Sequence, residues 1–224
     1  MSERVFDQEL KELKEKVAGL MALVGQAFDL TEELLKRQDL SLGARVAELE
    51  QKSDQLETDL QKKAATLMAL HQPVARDLRL LLVSMNVSHE LERIADQCLN
   101  ISQRLEESRA SLPVAWPPEI EEMVSRTADM LNSASRAYLE NNEELASQTI
   151  GQDIFLDDLK FSVTNRCLDS INNKALDPAR AVMFILVSRH LEKIGDLAKN
   201  IAEESYYLTK GQFIKHLRLT DIYH

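Results

Sequence analysis

The chain contains part of itself twice. Residues Val87–Ile101 (VSHELERIADQCLNI) align without gaps on Val187–Ile201 (VSRHLEKIGDLAKNI), and eight of the fifteen positions are identical. The apolar members of both copies, Leu91, Ile94, Cys98, Ile101 and Leu191, Ile194, Ala198, Ile201, recur at threes and fours, the spacing of one helix face. Polar positions recur as well: Glu92, Asp96 and Asn100 correspond to Glu192, Asp196 and Asn200. A buried seam requires only its apolar residues to repeat, so the shared acids ask for a separate explanation. A weaker match, at an offset of 103, sets Glu50 on Asp153, Asp54 on Asp157 and Leu56 on Leu159, but places Lys160 opposite Glu57.

The duplication predicts an all-α fold of two tandem three-helix bundles, six long helices in all. With only 6 glycines and 5 prolines in 224 residues, turns are few and elements long. The apolar spacing predicts helices over residues 4–38, 41–71 with Ser41 as cap, and 74–108, where Pro73 pre-sets the first turn. Pro113, Trp116, Pro117 and Pro118 mark a linker. The second half repeats the plan over 118–140, 143–173 and a last helix opened by Asp177-Pro178 and ended by Gly211. The expected domains are residues 1–110 and 119–210, with a linker at 111–118 and a C-terminal tail at 211–224. That tail holds Phe213, Ile214, Leu217, Leu219, Ile222 and Tyr223, and is expected to pack back on the bundle.

Charge narrows the function. Residues 1–112 carry 20 acids and 15 bases, and residues 113–224 carry 17 and 12, so both halves are acidic. Nucleic acid needs a concentrated basic surface, and direct binding of it is not expected. The longest apolar run, Ala181–Val187, is far shorter than the roughly 20 residues that span a membrane. With no signal-peptide core after Met1, the expected location is the cytoplasm. The two cysteines, Cys98 and Cys167, form no Cys-x-x-Cys, and Cys98 falls on the apolar seam.

Residues four apart share a helix face, so Glu92 and Asp96 form an oxygen stripe beside the seam. Glu50, Asp54 and Glu57 stand in the same relation to Leu49, Ser53 and Leu56. Side-by-side packing of helices two and three would bring up to five carboxylates into one patch. Like charges repel there, and a cation relieves them. Hard oxygen donors suit magnesium, calcium, manganese or iron. The plainer alternative is a solvated acidic face, with Arg93 and Lys193 serving as local partners of Asp96 and Asp196. In the second half, Lys160 and Lys199 lie near Asp153, Asp157, Glu192 and Asp196, so the first patch is expected to hold cations better. His89 and His190 do not repeat and are expected at the surface or behind the acids. Neither Glu-x-x-His nor a Gly-x-x-x-x-Gly-Lys loop occurs, which argues against a di-iron oxidase and a nucleotide hydrolase. A two-metal phosphohydrolase and a metal-free helical scaffold remain as rival readings.

The stretch Gln72-Pro-Val-Ala-Arg-Asp-Leu-Arg79, followed by Leu91-Glu-Arg-Ile-Ala-Asp96 and Asn100-Ile101, resembles the PhoU family of phosphate uptake regulators. Leu191-Glu-Lys-Ile-Gly-Asp196 with Asn200-Ile201 resembles its second copy. The resemblance implies a cytoplasmic, non-enzymatic negative regulator of phosphate uptake. Its implied partners are the ATPase of a phosphate ABC transporter, a sensor histidine kinase and a second copy of itself, with the membrane reached only through them. It also implies iron or zinc clusters at the acidic motifs. By position, Glu92, Asp96, Glu192 and Asp196 match the motif, and Glu50, Asp54, Asp153 and Asp157 match the facing helices. Lys160 departs from the acidic pattern.

Overall fold

The structure, a computed structural model, describes residues 5–212 and Ile214. Among these residues it is all helix: α1 (Val5–Arg37), α2 (Gly43–His71), α3 (Ala75–Glu107), α4 (Pro118–Glu140), α5 (Glu143–Ile150), α6 (Asp153–Asn172) and α7 (Pro178–Lys210). The six-helix plan holds with one amendment. The expected helix over 143–173 is broken at Gly151-Gln152, where glycine costs a helix interior about 1 kcal/mol relative to alanine.

Several ends follow from local chemistry. The Asp177 carboxylate accepts from the Arg180 N–H and Pro178 takes the first helical position, so α7 begins where expected. Gly211 closes α7 in the left-handed region at φ 72°. Ser41 does not cap α2. The Asp39 carboxylate instead accepts from the Ser41 N–H and starts a short 3-10 turn, Leu40–Leu42, that runs into α2 at Gly43. Pro73 lies outside α3, which starts at Ala75 after an extended Val74. Of the tail expected to fold back, Ile214 is buried; Phe213, Leu217, Leu219, Ile222 and Tyr223 lie outside the described residues.

Helices α1, α2 and α3 pack against one another, as do α4, α7 and the broken α5–α6 arm. The two bundles also share an extensive interface of α3 against α7. One continuous core results, running from Leu13 and Leu34 through Leu91 and Ile94 to Leu191 and Ile201, all fully buried. Where α3 meets α4, the Ser84 and Tyr138 hydroxyls bond at 2.8 Å, and burial pushes the Tyr138 phenol up to about 12. Both cysteines are buried, and burial pushes the Cys98 thiol up to about 12.

The linker is tied down by α1. The Gln38 side chain donates to the Val114 carbonyl at 2.6 Å and accepts from its N–H at 2.8 Å. The Trp116 indole N–H donates to the Leu35 carbonyl at 2.8 Å, and its ring packs on Phe184 of α7, 5.3 Å between centroids. Trp116→Phe keeps the ring contact and removes that donor. It is expected to cost about 1 kcal/mol, read by urea denaturation followed by circular dichroism.

The repeat is not symmetric in volume. A Cβ on Gly195 would lie 2.2 Å from Cδ1 of Leu156, so α6 reaches α7 through a notch. The positions equivalent in the first half are Ala95 and Ser53. In the first copy both partners are small, whereas in the second Leu156 of α6 fills the space over Gly195.

Candidate functional site

Helices α2 and α3 pack side by side, and their acidic stripes meet at the rim of the first bundle. The seams explain the placement. Val46, Ser53 and Leu60 of α2, and Leu91, Ile94, Ala95 and Cys98 of α3, are buried, which turns the neighbouring positions to the edge. Glu50, Glu57, Glu92 and Asp96 are half-buried there, and Asp54 is exposed.

The five carboxylates feel one another. Glu50 is raised above the ordinary carboxylate range, first by burial, then by the charges of Asp96 and Asp54. Burial also raises Glu92, reinforced by Asp96, Glu57 and Asp54 and opposed by His89. Among the described residues none of the five makes an ion pair. Arg93, one candidate partner for Asp96, pairs with Glu90 at 3.2 Å instead. Asp96 is held by neutral donors, Asn100 at 3.1 Å and Gln97 at 3.3 Å. The side chains are neighbours without converging: no three His, Cys, Asp or Glu among the described residues are placed to hold a metal ion.

The second stripe, on α6 and α7, has the opposite electrostatics. Lys160 bridges Asp157 at 2.7 Å and Glu192 at 2.8 Å. Lys199 pairs with Asp153, and Lys193 with Asp196 at 2.9 Å. Each of the four acids thus faces a lysine. Hydrogen bonding from Lys160 holds Asp157 below the usual carboxylate range. Burial alone would lower Lys160, but its bonds to Asp157 and Glu192 outweigh that and raise it. The two copies thus differ in charge balance among the described residues, with four lysine-paired acids in the second and five acids without an ion pair in the first.

Sequence reasoning missed a link across the bundles. His190 of α7 is half-buried and bonds through Nδ1 to Oε1 of Gln97 at 2.9 Å. Since Gln97 also donates to Asp96, α7 of the second half touches the acid patch of the first. Burial, then Arg104 and Arg189, hold His190 below the usual histidine value. The available signal was a broken repeat: Gln97 stands where the second copy has Leu197. His89 is exposed, as expected.

A mostly half-buried, oxygen-only donor set fits hard cations and iron better than zinc, which favours nitrogen and sulfur ligands. His89 is the neighbouring imidazole, near enough for its charge to oppose the rise of Glu92.

Tandem helical bundles with an acidic motif at the same place in each define a duplicated all-α protein. The family model of the PhoU domain matches residues 17–105 and again 120–205. The chain belongs to the PhoU family. It is 27% identical to the phosphate-specific transport system accessory protein PhoU homolog 1 of Thermotoga maritima, over 94% of this chain and 91% of that one. It is 29% identical to the corresponding PhoU homolog of Aquifex aeolicus, over 96% and 97%. The crystal structure of PhoU from Pseudomonas aeruginosa superposes with a TM-score of 0.88 at 24% identity, covering 92% of this chain and all of that one. The PhoU structure from Streptococcus pneumoniae superposes with a TM-score of 0.86 at 21% identity, covering 94% of this chain. At these identities the structural likeness is one of fold.

Proposed function

We propose that the chain is a negative regulator of phosphate uptake and phosphate signalling, an adaptor between the ATPase of a phosphate ABC transporter and a sensor histidine kinase. Family membership supports this reading, as do relatives named as phosphate-specific transport accessory proteins that align along nearly the whole chain. Among the described residues no helix is long and apolar enough to cross a membrane, which is compatible with a cytoplasmic protein meeting the membrane through partners. A homodimer belongs to the same reading. So does the absence of catalysis: the acids lie on a helix rim, partly open to solvent.

The observation that carries the site is the contrast in charge between the copies. Among the described residues, five carboxylates without an ion pair meet at α2 and α3, while each of the four motif acids at α6 and α7, Asp153, Asp157, Glu192 and Asp196, is paired with a lysine. Glu50, Asp54, Glu57, Glu92 and Asp96 are the residues to hold a metal, iron or a hard divalent ion first. The ion would neutralise the patch and link α2 to α3.

Protein purified without chelators is expected to carry metal by elemental analysis. Glu92→Gln with Asp96→Asn should lose it, whereas Glu192→Gln with Asp196→Asn should retain it. Equal retention in both would remove the first patch as the site. The adaptor role is checked by co-purification with the ATPase and the kinase across a charge-reversal scan of the surface; indifference at every position would defeat it. A metal-free scaffold is the second reading, favoured by the lack of three converged ligands among the described residues. Wild-type protein that carries no metal under several metal supplies would establish that reading.

A further inference from the structure

At the far end of α3 from the acids lies a hollow of about 630 Å³. Arg76 to Glu92 is sixteen residues of helix, about 24 Å, so the two places are separate. The hollow is built where the start of α1, the start of α3 and the ends of α4 and α7 come together. Lys11, Lys14, Arg76 and Arg79 line it, with Asp7 and Asp77 the only acids among the described residues that do so. It is therefore a local net positive site on a chain of net charge −10.

Three of the four cations are uncommitted. Lys11, Lys14 and Arg76 form no ion pair with any described residue, although lysines elsewhere pair repeatedly. The fourth is positioned. The Arg79 guanidinium lies over the Tyr207 ring, 5.5 Å from its centroid. It also presses on Gly211, where a Cβ would come within 2.6 Å of Nη1. Glycine at that helix end thus leaves room for the arginine as well as supplying the left-handed turn. The first turn of α3 contributes its dipole, since Val74 at the N-cap brings no capping side chain. Leu10, Leu80 and Leu208 give the hollow an apolar floor. Its volume falls in the range of small-molecule sites and far exceeds one phosphate ion.

We infer that this hollow binds a soluble phosphate-bearing anion carrying several negative charges, a free oligophosphate or a nucleotide. Lysine and arginine supply charge and forked hydrogen bonds to phosphoryl oxygens. The site goes beyond the adaptor and metal reading and does not depend on it.

Isothermal titration of the full chain with inorganic phosphate, tripolyphosphate and ATP tests it. Tripolyphosphate and ATP are expected to bind one per chain, with affinity falling as salt rises. ATP binding more than tenfold tighter than tripolyphosphate identifies a nucleotide as the source; equal binding identifies the oligophosphate alone. Lys11→Gln with Lys14→Gln, both exposed and harmless to the fold, should weaken binding at least tenfold. Arg76→Gln should do the same, and Glu92→Gln should leave it unchanged. The inference is overturned if neither tripolyphosphate nor ATP binds, or if the lysine double variant binds as wild type does. Sedimentation with phosphatidylglycerol vesicles in the absence of any oligophosphate binding overturns it too, in favour of a lipid headgroup.

Discussion

Replacing Gly195 by alanine is expected to destabilise the chain by about 1–3 kcal/mol, although alanine is the better helix former. Intrinsic propensity alone would favour the change by about 1 kcal/mol. Packing reverses the sign. The new methyl would sit 2.2 Å from Cδ1 of Leu156 and 3.7 Å from Sδ of Met130, and both side chains are fully buried. Helix α6 cannot retreat cheaply, because Val163 and Cys167 are buried on the same face. Leu156→Ala alone should cost about 2–5 kcal/mol by leaving a cavity. Together the two changes should cost at least about 1 kcal/mol less than their sum, since each relieves the other. Urea unfolding of the four proteins in the cycle measures this, and strict additivity would show that the notch does not govern the packing. Ala95→Gly at the repeat position is the control. It fills no clash and is expected only to lose stability.

That asymmetry shows what the sequence could and could not tell. The seam around Leu91 and Leu191 was legible because period and identity coincide at an offset of 100. Helix ends were legible where one residue type settles them, as with Asp177-Pro178 and Gly211. Ser41 misled, because Asp39 two residues earlier caps first: its carboxylate accepts from the Ser41 N–H and places Ser41 inside the 3-10 turn, where it cannot serve as the cap of α2. The break at Gly151 was missed because the apolar pattern continues across it. Of the candidate site, the stripes were legible from four-residue spacing and the intrusion of Lys160 from the failed repeat. The redirection of Arg93 to Glu90 was not, since both Glu90 and Asp96 lie three residues away and only rotamers decide between them. The His190–Gln97 contact joins residues 93 apart on helices of different bundles, a pairing no local spacing reveals.

The unequal charge of the two copies predicts opposite responses to equivalent changes. In chelator-treated protein at pH 7, Glu92→Gln should raise stability by about 0.5–1 kcal/mol, by relieving repulsion from Asp96, Glu57 and Asp54. Lys160→Met should lower it by about 1–3 kcal/mol, by stripping a charged partner from both Asp157 and Glu192. Acid should erase the two effects in order, that of Glu92→Gln first. Glu92 is raised in the folded chain, so over the window between its raised value and the ordinary 4.5 the folded state binds more protons than the unfolded state. The cost of its charge is present above that window and disappears as pH falls through it, so the advantage of Glu92→Gln should shrink on acidification. Asp157 runs the other way. It is lowered, so its stabilisation is present above its ordinary 3.8 and is lost only as pH falls through the lower folded value. Metal should then reverse the order of the first pair. At a hundred times its dissociation constant an ion adds about 2.7 kcal/mol, worth about 5–11 °C in the melting temperature of a chain this size. Wild type and Lys160→Met should gain that increment, and Glu92→Gln with Asp96→Asn should not. A melting temperature indifferent to metal in wild type would leave the repeated acids without a cation to explain them. A gain that survives loss of Glu92 and Asp96 would move the site elsewhere.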